Sequence, residues 1–353
     1  MVHVIQSMAA EKGGPTQVVA GLAAALRQRG HDVVVAVGDD AADHAGVDVQ
    51  PYTRALVRAA DVVHAHGVWD WTVVSAMRDA RRLGVPYLFC PHGMFHPWAM
   101  SQKPWKKRLA LRLGVRRLLN HAAAAHVLNA REAEHLPAHG VRTPATVLPN
   151  GVSRDVVTAA DDAARQGEAR DDRTILFLGR LHHVKGLDVL ADAFARVASR
   201  DAAAKLMVVG PDAGVRQDFE RRVAAAGVAD RVTLSGPLGG EAKWAALRRA
   251  TVFCQPSRQE GFSVATLEAL ACRLPVVIST GCHFPEVAEA GAGVVVDLDP
   301  QAFADALCRV LEDASSRQRM GDAGRHLVEQ RYTWPVIAER AEAMYAAVVQ
   351  GRA

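Results

Sequence analysis

Four charged side chains of this sequence sit around two short turns, each leading into an apolar helical stretch. Glu260 and Glu268, with seven residues between them, bracket Gly261-Phe262-Ser263, and Arg180 and Lys185 lie inside Gly179-Arg180-Leu181-His182-His183-Val184-Lys185-Gly186. A diphosphate is held by cations and by free backbone N–H groups, whereas sugar hydroxyls are held by carboxylates that accept their hydrogen bonds. The two turns supply both kinds of group.

The elements that must place these residues are strands followed by helices. The basic turn directly follows Ile175-Leu176-Phe177-Leu178 and precedes a helix opening near Leu187; its terminal glycines let the backbone bend close to a ligand. It is neither a Walker A loop, since no Gly-Lys-Ser/Thr closes it, nor a Gly-x-Gly-x-x-Gly fingerprint. The acidic turn follows Val252-Phe253-Cys254-Gln255 and Pro256-Ser257, so the N–H groups of Gly261, Phe262 and Ser263 are expected at a helix N-terminus, where the dipole favours anions. Glu268, about one turn in, leans back toward that end. The bland readings are a solvated cationic loop, an N-terminal charge on a helix and a surface glutamate.

Metal chemistry has two candidates in the sequence. Asp297-Leu298-Asp299 has the form of a divalent-ion pair, yet it follows Val294-Val295-Val296 and precedes Pro300, so Asp299 reads as an N-cap with proline at the first helical position. His64 and His66 fall on one face of a strand end, as a ligand pair or as donors lining a cleft, and no carboxylate at helical spacing completes a triad. No metal is expected.

With 353 residues, half of them hydrophobic, the chain divides into about two domains. Strands are expected at Val2–Gln6, Asp32–Val37, Val62–Ala65, Tyr87–Cys90, Ala125–Leu128 and Thr146–Leu148, with a helix over Thr16–Arg29. Pattern fades over 153–173, read as a linker. A second series follows at Thr174–Leu178, Lys205–Val209, Val232–Leu234, Val252–Gln255, Val276–Ser279 and Gly293–Val296, and a helix over Trp334–Val349 closes the chain. The fold expected is α/β: two doubly wound parallel sheets, residues 1–152 and 174–330, facing across a cleft lined by strand ends, with 331–353 as a terminal helix.

A net charge of +4 is too mild for a nucleic-acid-binding surface and suits small anions or an acidic membrane. Five scattered cysteines fit a reducing cytoplasm. No leader is visible at Val2-His3-Val4-Ile5, and no apolar run reaches the roughly 18 to 20 residues that span a bilayer. The stretch 98–118 interleaves Lys103, Lys106, Lys107, Arg108, Arg112, Arg116 and Arg117 with Trp98, Trp105 and several leucines, a composition for anionic lipid or for an ordinary solvated face.

Arg180 and Lys185 between glycines, followed about 75 residues on by the Glu260 to Glu268 spacing, resemble retaining nucleotide-sugar glycosyltransferases of the GT-B architecture, family 4 type, over nearly the whole chain. Lys12-Gly13-Gly14-Pro15, Leu148-Pro149-Asn150-Gly151 and Pro91-His92-Gly93-Met94 are further marks, the last similar to bacterial exopolysaccharide and lipopolysaccharide transferases. The resemblance implies a catalytic set of His92, Arg180, Lys185 and Glu260: the two cations neutralise the departing diphosphate, Glu260 holds the donor sugar and His92 faces it near the anomeric carbon. Glu268 would hold the ribose, and Gly13, Gly14, Gly210, Gly236, Gly261, Phe262 and Ser263 would border the donor. It implies a metal-independent reaction without cofactor, an NDP-sugar donor with UDP first and GDP next, a glycan or lipid-linked acceptor on the N-terminal domain, and a cytoplasmic enzyme peripheral to the membrane. An epimerase or phosphorylase of the same architecture, or a catalytically silent binding module, are the alternatives.

Overall fold

The computed structural model describes residues 1–9, 14–39, 46–165, 170–171 and 173–351. It divides into two compact units, Met1–Gly151 with Trp334–Ala353, and Val152–Thr333.

The first unit is built on seven strands: β1 (Val2–Ser7), β2 (Val34–Asp39), β3 (Asp48–Pro51), β4 (Val63–His66), β5 (Tyr87–Cys90), β6 (Ala124–Val127) and β7 (Ala145–Val147). They pair in parallel in the order β3-β2-β1-β4-β5-β6-β7. The strand β3 is one that the sequence does not announce: Asp48-Val49-Gln50-Pro51 is a polar, part-buried edge, and an edge strand tolerates proline. Alternation divides the sheet's side chains between two cores. Val2, Val4, Val63, Ala65, Tyr87, Phe89, Ala125 and Val127 enter one. Ile5, Val35, Val37, Leu88 and Ala124 enter the other, together with the helices Gly14–Gln28 and Trp334–Val349.

The closing helix presents Ile337, Ala338, Ala341, Met344, Tyr345 and Val348 to that second core, a stripe at helical spacing. Its first residue, Trp334, lies over Gly21 and Gly151, where an added Cβ would come within 2.2 and 2.6 Å of the indole. Those two glycines are small because the ring occupies the space a side chain would need.

The second unit has six strands: β8 (Thr174–Leu178), β9 (Lys205–Val209), β10 (Val232–Gly236), β11 (Val252–Gln255), β12 (Val276–Ser279) and β13 (Gly293–Val296). Their parallel order, β10-β9-β8-β11-β12-β13, is the Rossmann order, which reverses between β8 and β11. The segment expected as a patternless linker over 153–173 instead begins with a helix, Arg154–Arg165, whose Val156, Val157 and Ala160 join the core of this unit. The apolar residues at i, i+1 and i+4 carry that helix; the polar, alanine-rich remainder of the stretch hides them from a reading by composition. Asp299 caps the helix Pro300–Glu312, accepting from the Ala302 N–H at 2.8 Å with Pro300 at its start, as its spacing predicts.

Candidate active site

In the second unit, the point of strand reversal sets the geometry. The basic turn leaves β8 and the acidic turn leaves β11, so adjacent strands deliver both to one end of the sheet. They are packed together tightly: Gly186, at φ 69°, has the Pro256 carbonyl where a Cβ would stand, 1.9 Å away. The Arg258 N–H donates to the Val184 carbonyl at 2.7 Å, and the Arg258 guanidinium grips Asp188 at 2.6 and 2.8 Å.

Lys185 Nζ meets Glu260 Oε1 at 2.6 Å, with both side chains largely shielded. The same oxygen accepts from Gln255 Nε2 at 2.7 Å and from Ser257 Oγ at 2.5 Å. Three donors thus converge on Oε1, and no described residue donates to Oε2. Glu268 repeats the arrangement one turn into the helix Val264–Ala271: it is 6% exposed, its Oε1 accepts from Lys243 Nζ at 2.7 Å, and burial raises its pKa against the opposing pull of that ammonium. Lys243 in turn sits 4.0 Å from the centre of the Trp244 ring. Each glutamate therefore offers one oxygen anchored by a lysine and one oxygen able to accept a ligand hydroxyl.

Arg180 is exposed and forms no ion pair among the described residues, a guanidinium able to meet an incoming anion. Gly210, at φ 147°, lies against the Gly179 carbonyl, 1.9 Å from where its Cβ would be, so only glycine lets β9 end so close to the basic turn. Gly236 also takes a positive φ of 67°, and its carbonyl accepts from the Gly210 N–H at 2.9 Å. Ser263 is the N-cap of the Val264–Ala271 helix and is fixed by Gln255 Oε1 at 2.7 Å; Gly261 and Phe262 precede it. The Phe262 ring packs with Phe284 and Tyr332, centroids 5.0 and 5.6 Å away, so its side chain is occupied in holding the turn.

Lys243, Gln255 and Ser257 were not singled out by the sequence. Gln255, the last residue of β11 and fully buried, is the most readable of the three, because a buried amide at a strand end must be satisfied by its neighbours. Lys243 lies 25 residues from its partner and carries no local signal.

In the first unit, His92 follows β5 at φ 49°, a left-handed backbone uncommon outside glycine, and Gly93 follows at φ 78°. The turn is held by Glu132, 4% exposed, which accepts from the Gly93 N–H on one oxygen and from the Leu128 N–H at 2.7 Å on the other. Burial raises the Glu132 pKa while those two N–H groups lower it. Glu132 reads in the sequence as an ordinary first-turn acid of the helix Ala130–His135, capped by Asn129, and nothing local marks its reach back to the turn. Gly14 is the exposed first residue of the helix Gly14–Gln28; Gly13 lies outside the described residues.

His64 and His66, which the sequence leaves open as a ligand pair or as cleft-lining donors with no metal expected, are 1% and 2% exposed. Alternation turns them, with His3 and His126, onto the sheet face covered by the two helices. Two groups among the described residues have ligand atoms close enough to hold an ion: His3, His64 and His66, and His66, Cys90 and His92, within 4.8 Å in each case. All six ring nitrogens of the first group already lie 2.9 to 3.4 Å from a hydrogen-bonding neighbour. Cys90 is fully buried, and burial and Glu132 push its thiol up.

Two parallel Rossmann-like sheets of this order, flanked by helices, are those of the GT-B class. Sequence comparison agrees: residues 159–327 match the model of glycosyl transferases group 1 and residues 13–151 that of the glycosyl transferase 4-like domain. The chain is 30% identical over 310 residues to a D-inositol 3-phosphate glycosyltransferase of Stackebrandtia nassauensis, covering 83% of this chain and 69% of that one. It is 35% identical over 209 residues to a phosphatidyl-myo-inositol mannosyltransferase of Mycobacterium leprae; that match takes in 58% of this chain and about half, 54%, of the relative's length. Among solved structures, a sucrose-phosphate synthase from Thermosynechococcus elongatus superposes with a TM-score of 0.79 at 21% identity over 99% of both chains. HepE of Anabaena, in complex with UDP and glucose, does so with 0.78 at 17% identity over 98% of this chain and 99% of that one. The chain belongs to the GT-B glycosyltransferases.

Proposed function

We propose that this chain transfers a sugar, with retention of configuration, from a nucleoside diphosphate sugar to a hydroxyl of a glycan or lipid-linked acceptor, without a metal ion. The observation that carries the reading is the paired turn at the strand reversal of the second unit: exposed Arg180 on the turn that also carries Lys185, Lys185 paired with Glu260, and Glu268 paired with Lys243 one turn into the following helix. Arg180 and Lys185 supply the positive charge that a metal would otherwise bring to a leaving diphosphate. Glu260 and Glu268 accept from sugar and ribose hydroxyls on their open oxygens, and both are engaged by lysine, which suits holding better than proton transfer. His92, Gly13 and Gly14 belong to the acceptor-side unit in this reading, with His92 directed to the donor sugar.

The test is a thermal-shift panel of UDP, GDP, ADP and their sugars with EDTA present. Stabilisation by one nucleotide family is expected, growing with ligand concentration. UDP stands first, being the nucleotide held by the Anabaena protein of the same fold. No shift with any of them, or a shift only when a divalent ion is added, would overturn the reading. So would formation of an epimer from donor alone.

The acceptor is proposed to lie at an anionic membrane, with the protein peripheral on its cytoplasmic face. Among the described residues no helix is long and apolar enough to cross a bilayer. The first unit does expose Trp105, at 64%, and also Trp71 and Leu113, at 73% and 78%, which line a groove of about 670 Å³ together with Arg78, Arg81 and Arg117. Exposed indoles amid guanidinium groups suit an anionic interface. Binding to vesicles containing acidic phospholipid, lost in neutral vesicles and weakened by salt, is expected; equal binding to both lipids, or to neither, would refute it.

A further inference from the structure

Five imidazoles and one phenol of the first unit form a single file. His126 Nε2 lies 2.7 Å from the Leu148 carbonyl; His126 Nδ1 lies 3.2 Å from His64 Nε2; His64 Nδ1 lies 2.9 Å from the Tyr345 hydroxyl. The file continues from that hydroxyl to His3 Nε2 at 3.4 Å, from His3 Nδ1 to His66 Nε2 at 3.0 Å, and from His66 Nδ1 to His92 Nε2 at 3.1 Å. It begins at a backbone carbonyl and ends at the residue assigned to face the donor sugar.

A carbonyl oxygen can only accept, so His126 Nε2 carries a hydrogen and donates. A neutral ring with one nitrogen protonated has the other bare, so His126 Nδ1 accepts, and His64 Nε2 must be the donor to it. His64 Nδ1 is then bare and the Tyr345 O–H donates to it. The phenolic oxygen accepts from His3 Nε2–H, His3 Nδ1 accepts from His66 Nε2–H, and His66 Nδ1 accepts from His92 Nε2–H. Reversing any one link would set two lone pairs or two hydrogens against each other in a buried site, a cost comparable to leaving a buried polar group unsatisfied. Neutrality of the rings is supported by burial, which lowers the pKa of His3 and His92 to about 3 and of His126 to about 4.

We propose that this file fixes His92 as its Nε2–H tautomer and presents Nδ1 to substrate as an acceptor, so that the ring takes a hydrogen bond from a hydroxyl of the donor sugar and gives none there. The inference deepens the glycosyl-transfer reading and rests on its placement of His92. His126, His64, Tyr345, His3 and His66 are positioning residues: they act on substrate only through the ring they polarise. No described residue bonds His92 Nδ1, which is the atom the file leaves over. Tyr345 belongs to the closing helix, so the docking of residues 334–349 is coupled to the tautomer of a ring at the far end of the file.

The experiment is long-range proton–nitrogen correlation NMR on histidine-¹⁵N protein, the His92 signals being assigned by their loss in His92→Gln. Pyridine-type Nδ1 and pyrrole-type Nε2 resonances are expected for all five rings at neutral pH. In Tyr345→Phe, which removes the central donor and acceptor, the His92 nitrogens should move toward an exchange average of the two types; His126→Phe, which removes the anchor, should do the same. A His92 Nδ1–H tautomer in the native protein overturns the proposal, as does a His92 tautomer unmoved in a folded variant. Stoichiometric zinc with metal-bound nitrogen shifts overturns it too. The native spectrum decides even if neither variant folds. Both readouts are taken without substrate, so a failure of the glycosyl-transfer reading leaves them unchanged, and their failure leaves that reading standing.

Discussion

At the scale of single residues, the two glutamates of the second unit separate charge from availability: each spends one oxygen on a lysine and keeps the other. Glu268→Gln keeps the shape and one acceptor but removes the charge, leaving the Lys243 ammonium shielded and unneutralised. Nucleoside diphosphate binding is expected to weaken by roughly tenfold to a hundredfold, the value of one charge-assisted hydrogen bond of about 1.5–3 kcal/mol, read by titration calorimetry; an unchanged Kd would remove Glu268 from the ligand. The same contacts explain what the sequence could and could not disclose. Arg180, Lys185, Glu260 and Glu268 stand out because two short turns collect them. Lys243 and Glu132 act across 25 and 39 residues on Glu268 and Gly93, and pairings over such distances leave no periodic trace. Their partners are fixed by strand order.

At the scale of elements, the strands were legible because buried parallel strands are short continuous apolar runs. The polar edge β3 and the helix Arg154–Arg165 were not, since the strand shows one apolar residue to its core, Val49, and the helix three. The histidines illustrate a different limit. His3, His64 and His126 each interrupt an apolar strand at the alternation facing the helices, so the face is readable, whereas the meeting of β1, β4 and the closing helix at Tyr345, with β6 reaching it only through His64, follows from the order β1-β4-β5-β6. Packing of the closing helix gives a direct test. Gly21→Ala would set a methyl about 2.2 Å from the Trp334 ring, and overpacking of this kind costs about 1–3 kcal/mol. Trp334→Ala alone should cost about 3–5 kcal/mol. The double variant is expected to be more stable than the sum of the two losses implies, because the clash is gone; strict additivity in urea unfolding would show that the ring and the glycine do not meet.

At the scale of the whole molecule, the buried histidines tie stability to pH. His3, His64, His66 and His126 are held neutral because burial lowers their pKa values below the ordinary 6.5, to about 3 for His3 and about 4 for His126. Among their titratable neighbours the N-terminal ammonium adds to the lowering at His3, the rings lower one another, and burial keeps the Cys90 thiol and the Tyr345 phenol neutral. Below pH 6.5 the unfolded chain binds protons that the native state refuses, so this stability is complete above 6.5 and is lost as pH falls toward 3 to 4. Each ring contributes a slope of up to about 1.4 kcal/mol per pH unit, and the set several times that. The unfolding free energy should therefore drop steeply between pH 6.5 and 5; a flat profile across that range would mean the rings are solvated or charged.

The division of the first unit between residues 1–151 and 334–353 has a further consequence, for the order in which the protein is made. The second unit is one continuous stretch and can fold as soon as it leaves the ribosome. The earlier sheet has Ile5, Leu22, Leu26 and Val37 with part of their covering still unsynthesised. At roughly 5–20 residues per second, that apolar face waits on the order of ten seconds or more for Tyr345 and its helix. The nascent chain is thus most exposed to chaperones and to aggregation through the half that is translated first and finished last.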